Sequence, residues 1–342
     1  MSLRFDLAGF AREGSLGDHA RIIALAERAD ALGYGGIWFN EFHFRGATNP
    51  YPHTLLLGAA ILARTERLRF GTSILVLPLQ HPLMLAEQVA QLDFQSGGRL
   101  DVGVGRGTDP GSFTALGLDL SAKERFSEAL DIVIGALGGA SVSADGPTWR
   151  FEEVAVGPPP VQRPHPPIYV AAVSPATMEI AVRRRLPILL SLEPNETRQL
   201  APFSEALGGD LGPLRASSLS RYIVIDRDAG AAEEKLQALL ARLNARKAER
   251  AAGKGEPPPL PRSRAEMLEG FAIAGTPEVC ARQIEALTAR TGVHSIRLFP
   301  SANGALPLAE AERTIDLFAQ TVLPAFAGSA APAPRVSTGA KP

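Results

Sequence analysis

The chain has 342 residues, 45% hydrophobic and 21% charged, with a formal net charge of −1. This balance is that of a globular enzyme and lacks the basic field expected of a nucleic-acid binder. The single cysteine, Cys280, excludes an intrachain disulfide and permits a reducing compartment. Arg4 and Asp6 interrupt any apolar run near the N-terminus, and no stretch approaches the roughly 18 uncharged apolar residues of a membrane helix, so a cytoplasmic setting is expected.

Short apolar runs alternate with amphipathic stretches, the pattern of repeated βα units. A first strand at about Leu3–Gly9 precedes a helix over roughly Asp18–Leu32, with Ile22, Leu25, Ala26 and Ala29 on one stripe. Asp18 suits its N-cap and Gly33 its left-handed stop. The second strand, Gly36–Phe39, ends in Asn40-Glu41-Phe42-His43. A helix near His53–Arg64 leads to a third strand over Leu68–Val76. Pro82 opens a helix running to about Phe94, stopped at Gly97-Gly98. The fourth strand, Leu100–Val104, is followed by Gly105-Arg106-Gly107-Thr108, a helix around Ala122–Leu137, and an excursion through Trp149 and Pro158-Pro159-Pro160. A fifth strand at Ile168–Ala171 leads into Ser174-Pro175 and a helix to about Arg185. The sixth strand reads as Ile188–Ser191 and the seventh as Ser220–Ile225. A charged helix at Ala231–Arg250 is followed by a polar, proline-rich segment, Gly253–Arg264. The last helix starts at Gly275-Thr276-Pro277, the eighth strand is Ser295–Phe299, and a closing helix spans Leu308–Phe326. Eight two-faced apolar strands fit a closed parallel barrel better than an open sheet. The expected architecture is a single TIM-type (β/α)8 barrel domain over 1–327, with insertions, then an unstructured tail over 328–342.

Active sites of such barrels lie at the C-terminal strand ends, and four ends carry polar residues. After the second strand, Glu41 and His43 can polarise a ring, move a proton or bind substrate; a loop ion pair is the plain alternative. After the fourth, Gly103-Val-Gly-Arg-Gly-Thr108 lacks the last glycine of a dinucleotide fingerprint and opens no helix directly, which excludes that reading. Its glycines instead let backbone approach a ligand, and Arg106 offers a forked donor to a phosphate or pairs with a surface carboxylate. After the fifth, Ser174-Pro175-Ala176-Thr177 is a well-formed helix start whose amides and hydroxyls suit a phosphate, or simply cap the helix. Gly275-Thr276-Pro277-Glu278 reads as a cap alone. After the third, His81 either faces the barrel mouth or is structural. No metal-ligand constellation is read.

Three segments recur at a known family's intervals: Gly36-Ile-Trp-Phe-Asn-Glu-Phe-His-Phe44, Gly71-Thr-Ser-Ile-Leu-Val-Leu-Pro-Leu-Gln-His-Pro82 and Gly97-Gly-Arg-Leu-Asp-Val-Gly-Val-Gly-Arg-Gly107. Together with the helix starts at Ser174 and Gly275, they resemble the bacterial-luciferase-like flavin monooxygenases over about Leu3–Phe326. The resemblance implies a usually dimeric (β/α)8 barrel binding FMN at its C-terminal mouth, with Arg106, Ser174 and Thr177 holding the phosphate. It also implies a non-proline cis peptide at Ser73–Ile74, with Ile74 supporting the isoalloxazine ring, and Glu41 and His43 bordering ring and substrate. The segment 253–264 sits where relatives carry a mobile loop over the site. The luciferases proper have two consecutive histidines after the glutamate, the first being their base; Phe42 stands there, so light emission from long-chain aldehydes is not expected and general base duty, if needed, would fall to His43 or to a residue not identified in the sequence.

The implied function is oxygenation of a small organic substrate through a flavin hydroperoxide, using O2 and reduced FMN from a separate reductase. The alternatives are hydride transfer with a deazaflavin, or a non-catalytic flavin-binding protein. The substrate is not legible in the sequence.

Overall fold

The computed structural model describes residues 3–10, 18–46, 51–139, 141–193 and 196–326. Its strands are β1 (Arg4–Leu7), β2 (Gly36–Phe39), β3 (Arg69–Thr72), β4 (Leu75–Val76), β5 (Leu100–Gly105), β6 (Val142–Asp145), β7 (Arg150–Val154), β8 (Ile168–Val170), β9 (Ser218–Ile225), β10 (Ala272–Gly275) and β11 (Ser295–Phe299). Parallel pairing runs from β1 to β2 and β3, on through β5 to β8, with β4 also against β5. From β8, single bridges at Val170–Ile188 and Leu189–Ser218 lead to β9. β11 then joins β9 back to β1. The ladder closes on itself as a (β/α)8 barrel, as the alternation of apolar runs and helices predicts.

Several expected boundaries hold. The helix His19–Leu32 is capped by Asp18, which accepts from the Ala20 amide, and stops at Gly33 with φ 86°. The helix Pro82–Ser96 stops at Gly97 with φ 65°. The differences have local causes. The third strand is split into β3 and β4 at the Ser73–Ile74 peptide, which is cis. The sixth strand contributes only the bridges at Ile188 and Leu189. Beyond them, the Gln199 side-chain amide takes both backbone groups of Ser191, at 3.3 Å each, and ends the ladder. The excursion through Trp149 is an antiparallel hairpin, β6–β7, and β10 pairs with the second half of β9. No described helix is long and apolar enough to cross a membrane. The tail at 328–342 lies outside the described residues.

Residues along each strand alternate between two environments. Phe5, Leu7, Ile37, Phe39, Phe70, Leu100, Val102, Ile296 and Leu298 join the large core cluster that includes the surrounding helices. Trp38, Tyr169, Leu189 and Ala8 form a separate cluster inside the ring. The Trp38 ring lies across Gly71, where an added Cβ would come within 2.1 Å of it. Below it runs a buried ionic chain. Trp38 Nε1 donates to Asp6 Oδ2 at 2.7 Å, and Arg4 Nε donates to Asp6 Oδ1 at 2.7 Å. Arg4 and Arg69 flank Asp101 at 2.8 and 2.7 Å. Burial pushes the Asp101 carboxyl up, but the two guanidiniums outweigh it and hold the group below the ordinary carboxylate range. The floor of the barrel is therefore filled.

Removing the Asp101 charge strands Arg4 and Arg69 beside each other, so Asp101→Asn is expected to cost about 3–5 kcal/mol at neutral pH. Because the folded carboxyl is depressed, its stabilisation is present above about pH 4 and lost as pH falls through the folded value. Urea melts across this range should show the gap between wild type and variant narrowing on acidification; a gap independent of pH would contradict the assignment.

Candidate active site

At the C-terminal strand ends lies a cavity of about 790 Å³, lined among others by Glu41, His43, Ser73, Ile74, Arg106, Ser174 and Thr177. Such a volume suits a cofactor with a small co-substrate. The residues singled out after β2, β5 and β8, together with Ser73 and Ile74 between β3 and β4, thus share one cavity.

Glu41 is buried at the end of β2. Its Oε2 accepts from the Val76 amide at 2.6 Å, its Oε1 accepts from Gln80 Nε2 at 3.0 Å, and His43 Nε2 stands 3.1 Å from Oε1. The carboxylate therefore ties β2 to the loop after β4 and orients the imidazole, so that the ion-pair reading and the site reading describe the same contact. His43 also meets the His53 ring edge-on at 5.1 Å. Phe42, in the place of the luciferases' first histidine, lines the cavity too.

Arg106 follows β5 with its side chain 24% exposed, and its guanidinium pairs with Glu124, whose side chain is 80% exposed. Such an exposed pair is worth no more than about 1 kcal/mol, so the guanidinium is readily released to a stronger anion. Lys123 lines the same side of the cavity. Ser174 and Thr177 form a capping box at the start of the helix Pro175–Arg183. The Thr177 amide donates to Ser174 Oγ at 3.3 Å, the Ser174 amide donates to Thr177 Oγ1 at 3.2 Å, and the two hydroxyls are 2.9 Å apart. The hydroxyls cap the helix and also line the cavity.

One expectation needs correcting and one open alternative is decided. The glycines of β5 do not leave room for a ligand. A Cβ at Gly103 would strike the Thr72 carbonyl oxygen at 2.1 Å and one at Gly105 would strike Ile74 Cδ1 at 2.2 Å, so they admit the neighbouring strand segment. His81 takes its structural alternative: its Nδ1 accepts from the Leu83 amide at 3.3 Å, and it caps the helix Pro82–Ser96. At the Gly275 helix start, Thr276 makes no side-chain cap bond; its hydroxyl donates to Glu278 at 2.7 Å. Cys280 is buried and its thiol is pushed up to about 12, which makes it inert. Among the described residues no group of three or more His, Cys, Asp or Glu comes together to hold a metal ion.

The cavity also holds residues that strand-end reasoning passed over. Arg297 sits within β11, 3% exposed. Arg246, Lys247, Arg250 and Arg262 also line the cavity, with Glu193 as their neighbouring acid. Lys247 and Arg262 approach Glu193 at 3.1 and 2.5 Å, and Arg262 stacks on Phe271 at 3.5 Å. Tyr222, Leu243 and Phe299 add apolar surface to the cavity. Arg297 had a legible signal, a charge inside an otherwise apolar strand. The basic cluster on the helix Ala229–Gly253 had none, because a charged helix face is ordinarily solvent-facing.

Glu41→Ala leaves the buried Val76 amide without its acceptor and should cost about 1–3 kcal/mol. Glu41→Gln, which keeps one oxygen, should cost less. Thermal melts of the two variants measure this; equal, negligible losses would remove the structural role.

The chain matches the family model "Luciferase-like monooxygenase" over residues 3–295. It is 34% identical over 175 residues to the alkanal monooxygenase alpha chain of the Kryptophanaron alfredi symbiont, covering 50% of this chain and 48% of that protein. It is 36% identical over 169 residues to the oxygenase component of the flavin-dependent trigonelline monooxygenase of Acinetobacter baylyi, covering 47% and 45%. The chain thus spans about half the length of the curated relatives it matches. Among solved structures it resembles monooxygenase RslO1 from Streptomyces bottropensis with a TM-score of 0.79 and 29% identity, over 95% of this chain and all (100%) of that one. The oxygenating constituent of 3,6-diketocamphane monooxygenase from Pseudomonas putida, solved with FMN, shares the fold at a TM-score of 0.71 and 20% identity, over 95% and 99% of the two chains. The coenzyme F420 dependent tetrahydromethanopterin reductase of Methanopyrus kandleri shares it at 0.70 and 20%, over 95% and 100%. By its sequence and its barrel, this chain belongs to the luciferase-like monooxygenase family.

Proposed function

We propose that this chain is the oxygenase of a two-component flavin system: it takes reduced FMN from a separate reductase and uses O2 to oxygenate a small organic molecule. The observation that carries the reading is the shared lining of one cavity by Arg106, Ser174 and Thr177 together with Glu41, His43, Ser73 and Ile74. The donor set fits FMN. Arg106 and Lys123, with the positive end of the Pro175–Arg183 helix, suit a phosphate dianion. Ile74, Val76, Leu79 and Ala171 offer an apolar bed for a flat ring.

When bound, the reduced flavin supplies the electrons that activate oxygen. The chain's own residues bind, orient and shield. Ser73 and Ile74 carry the ring, and Arg106 exchanges its exposed Glu124 partner for the phosphate. Glu41 holds His43 at the edge of the cavity, where the imidazole moves the proton the substrate gains or loses. Tyr222, Leu243 and Phe299 receive the apolar body of the substrate. The exposed segment 254–261 ends at Arg262, whose backbone amide and carbonyl are both held by the Asn244 side chain, at 2.9 and 3.0 Å; it acts as a cover that keeps water from the site. The whole is one barrel domain over 1–327 in a cytoplasmic homodimer, for which Leu56, Met84 and Phe94, exposed on neighbouring helices, provide an apolar contact face.

The test is oxygen consumption and product formation by the purified chain with FMN, NADH, a flavin reductase and a panel of small ketones, aldehydes and phenols. Turnover dependent on all components is expected. His43→Asn should lower it by about 10²–10⁴-fold with FMN affinity unchanged. Preferential binding of a deazaflavin with no oxygen chemistry would replace the reading by hydride transfer, and flavin binding without turnover of any substrate would leave a binding protein.

A further inference from the structure

Arg297 stands apart from the other cations of the cavity. It is 3% exposed, and its hydrogen-bond partners among the described residues are neutral. Nε donates to Ser218 Oγ at 3.2 Å, Nη1 to Ser73 Oγ at 3.0 Å, and Nη2 to the Leu190 carbonyl at 2.8 Å and the Ser218 carbonyl at 3.4 Å. The guanidinium also lies 5.5 Å from the centre of the Trp38 ring. Among the described residues no carboxylate comes within ion-pair distance of it. The nearest influence is Asp6, and both Asp6 oxygens are already engaged by Arg4 and Trp38. Burial draws the guanidinium down to about 10, with Asp6 and Tyr169 only partly offsetting the loss of water.

A buried cation with neutral partners alone is costly to keep. A guanidinium carries about five N–H donors, and the acceptors around Arg297 account for all but one, which belongs to Nη1. That nitrogen is on the side facing Ser73, beside the peptide expected to carry the flavin ring, and Arg297 lines the cavity. The fold has thus put an uncompensated positive charge and a spare donor beside Ser73, on a strand other than the one that carries Arg106.

We propose that Arg297 is a cofactor-positioning residue that recognises negative charge on the reduced flavin ring, making the cavity selective for reduced over oxidised FMN. The inference rests on the flavin reading above. The reduced isoalloxazine loses a proton readily and spreads a negative charge over its pyrimidine portion, whereas the oxidised ring is neutral. An interaction present in only one redox state shifts the binding equilibrium toward that state. For an oxygenase that must capture free reduced FMN and release the oxidised form, this preference gives direction to the exchange. The same chemistry could instead serve a carboxylate or phenolate on the substrate.

The test is anaerobic titration of the full chain with oxidised FMN and with dithionite-reduced FMN, for wild type, Arg297→Gln and Arg297→Lys. Wild type should bind the reduced form at least tenfold more tightly, a difference of about 1.4 kcal/mol and within the range of one charge-assisted hydrogen bond. Arg297→Gln should lose that preference while binding oxidised FMN about as well as wild type, and the two-electron potential of bound FMN should fall by about 30 mV for each tenfold lost. Arg297→Lys should recover part of the preference, and it carries the comparison where the glutamine variant does not fold. Equal weakening of both redox states would make Arg297 a structural support of Ser73 and overturn the proposal. So would an unchanged ratio together with loss of 4-hydroxybenzoate binding to the oxidised-FMN enzyme, which would assign the anion to the substrate. Wild type binding neither form of FMN would overturn the flavin reading and this inference with it, whereas equal binding of both forms overturns this inference alone.

Discussion

The interior of a closed eight-stranded barrel must be filled, and here the Trp38 ring is laid across Gly71. Beneath it, Asp6, Arg4, Asp101 and Arg69 satisfy one another in sequence, so buried charge is compensated where no water reaches. Tyr169 meets Trp38 edge-on at 5.4 Å and completes the plug. With the lower half solid, the residues that follow β2, β3, β5 and β8 line a cavity at the upper end. The location of the cavity is a packing result before it is a functional one.

That constraint explains why residues distant in sequence meet. Glu41 leaves β2 pointing at the backbone of Val76 and the side chain of Gln80, and so holds His43 against a fixed frame. The glycines of β5 let the Ser73–Ile74 segment press against that strand, which brings Ser73 within reach of Arg297. On the other wall, Arg106 and the capping box at Ser174 belong to consecutive barrel strands, β5 and β8, whose parallel pairing brings their ends side by side. The replacement of a histidine by Phe42 turns one cavity-lining position from a proton carrier into an apolar surface. Beside it stand the His43 imidazole and the Glu41 carboxylate.

Much of the fold was legible because barrel strands are buried on both faces. Gly36–Phe39 stands out as a short continuous apolar run and Ser295–Phe299 as a short run broken by Arg297, and both match the observed strands. The helix after Asp18 was legible through its cap and its glycine stop. The sixth strand was less so, because its end is set by Gln199, a side chain from the following helix that no local pattern reveals. The β6–β7 hairpin alternates half-buried and exposed residues and has no apolar signature of its own. Strand-end position singled out Glu41, His43, Arg106, Ser174 and Thr177, all of which line the cavity. The purpose of the β5 glycines was misread because their neighbours, Thr72 and Ile74, come from another strand. His81 offered two roles that sequence cannot separate, since a cap and a mouth residue differ only in which way the ring turns.

The central claim is that Arg106 and the helix start at Ser174–Thr177 grip one phosphate. A double-mutant cycle on FMN and riboflavin affinities, with Arg106→Ala, Thr177→Ala and the pair, measures it directly. If both groups hold the same phosphate, each change should weaken FMN binding by about tenfold or more while leaving riboflavin binding unaltered, and the paired change should cost measurably less or more than the sum. Loss of riboflavin and FMN affinity in equal measure, or strict additivity with no effect on the phosphate-bearing form, would contradict the account.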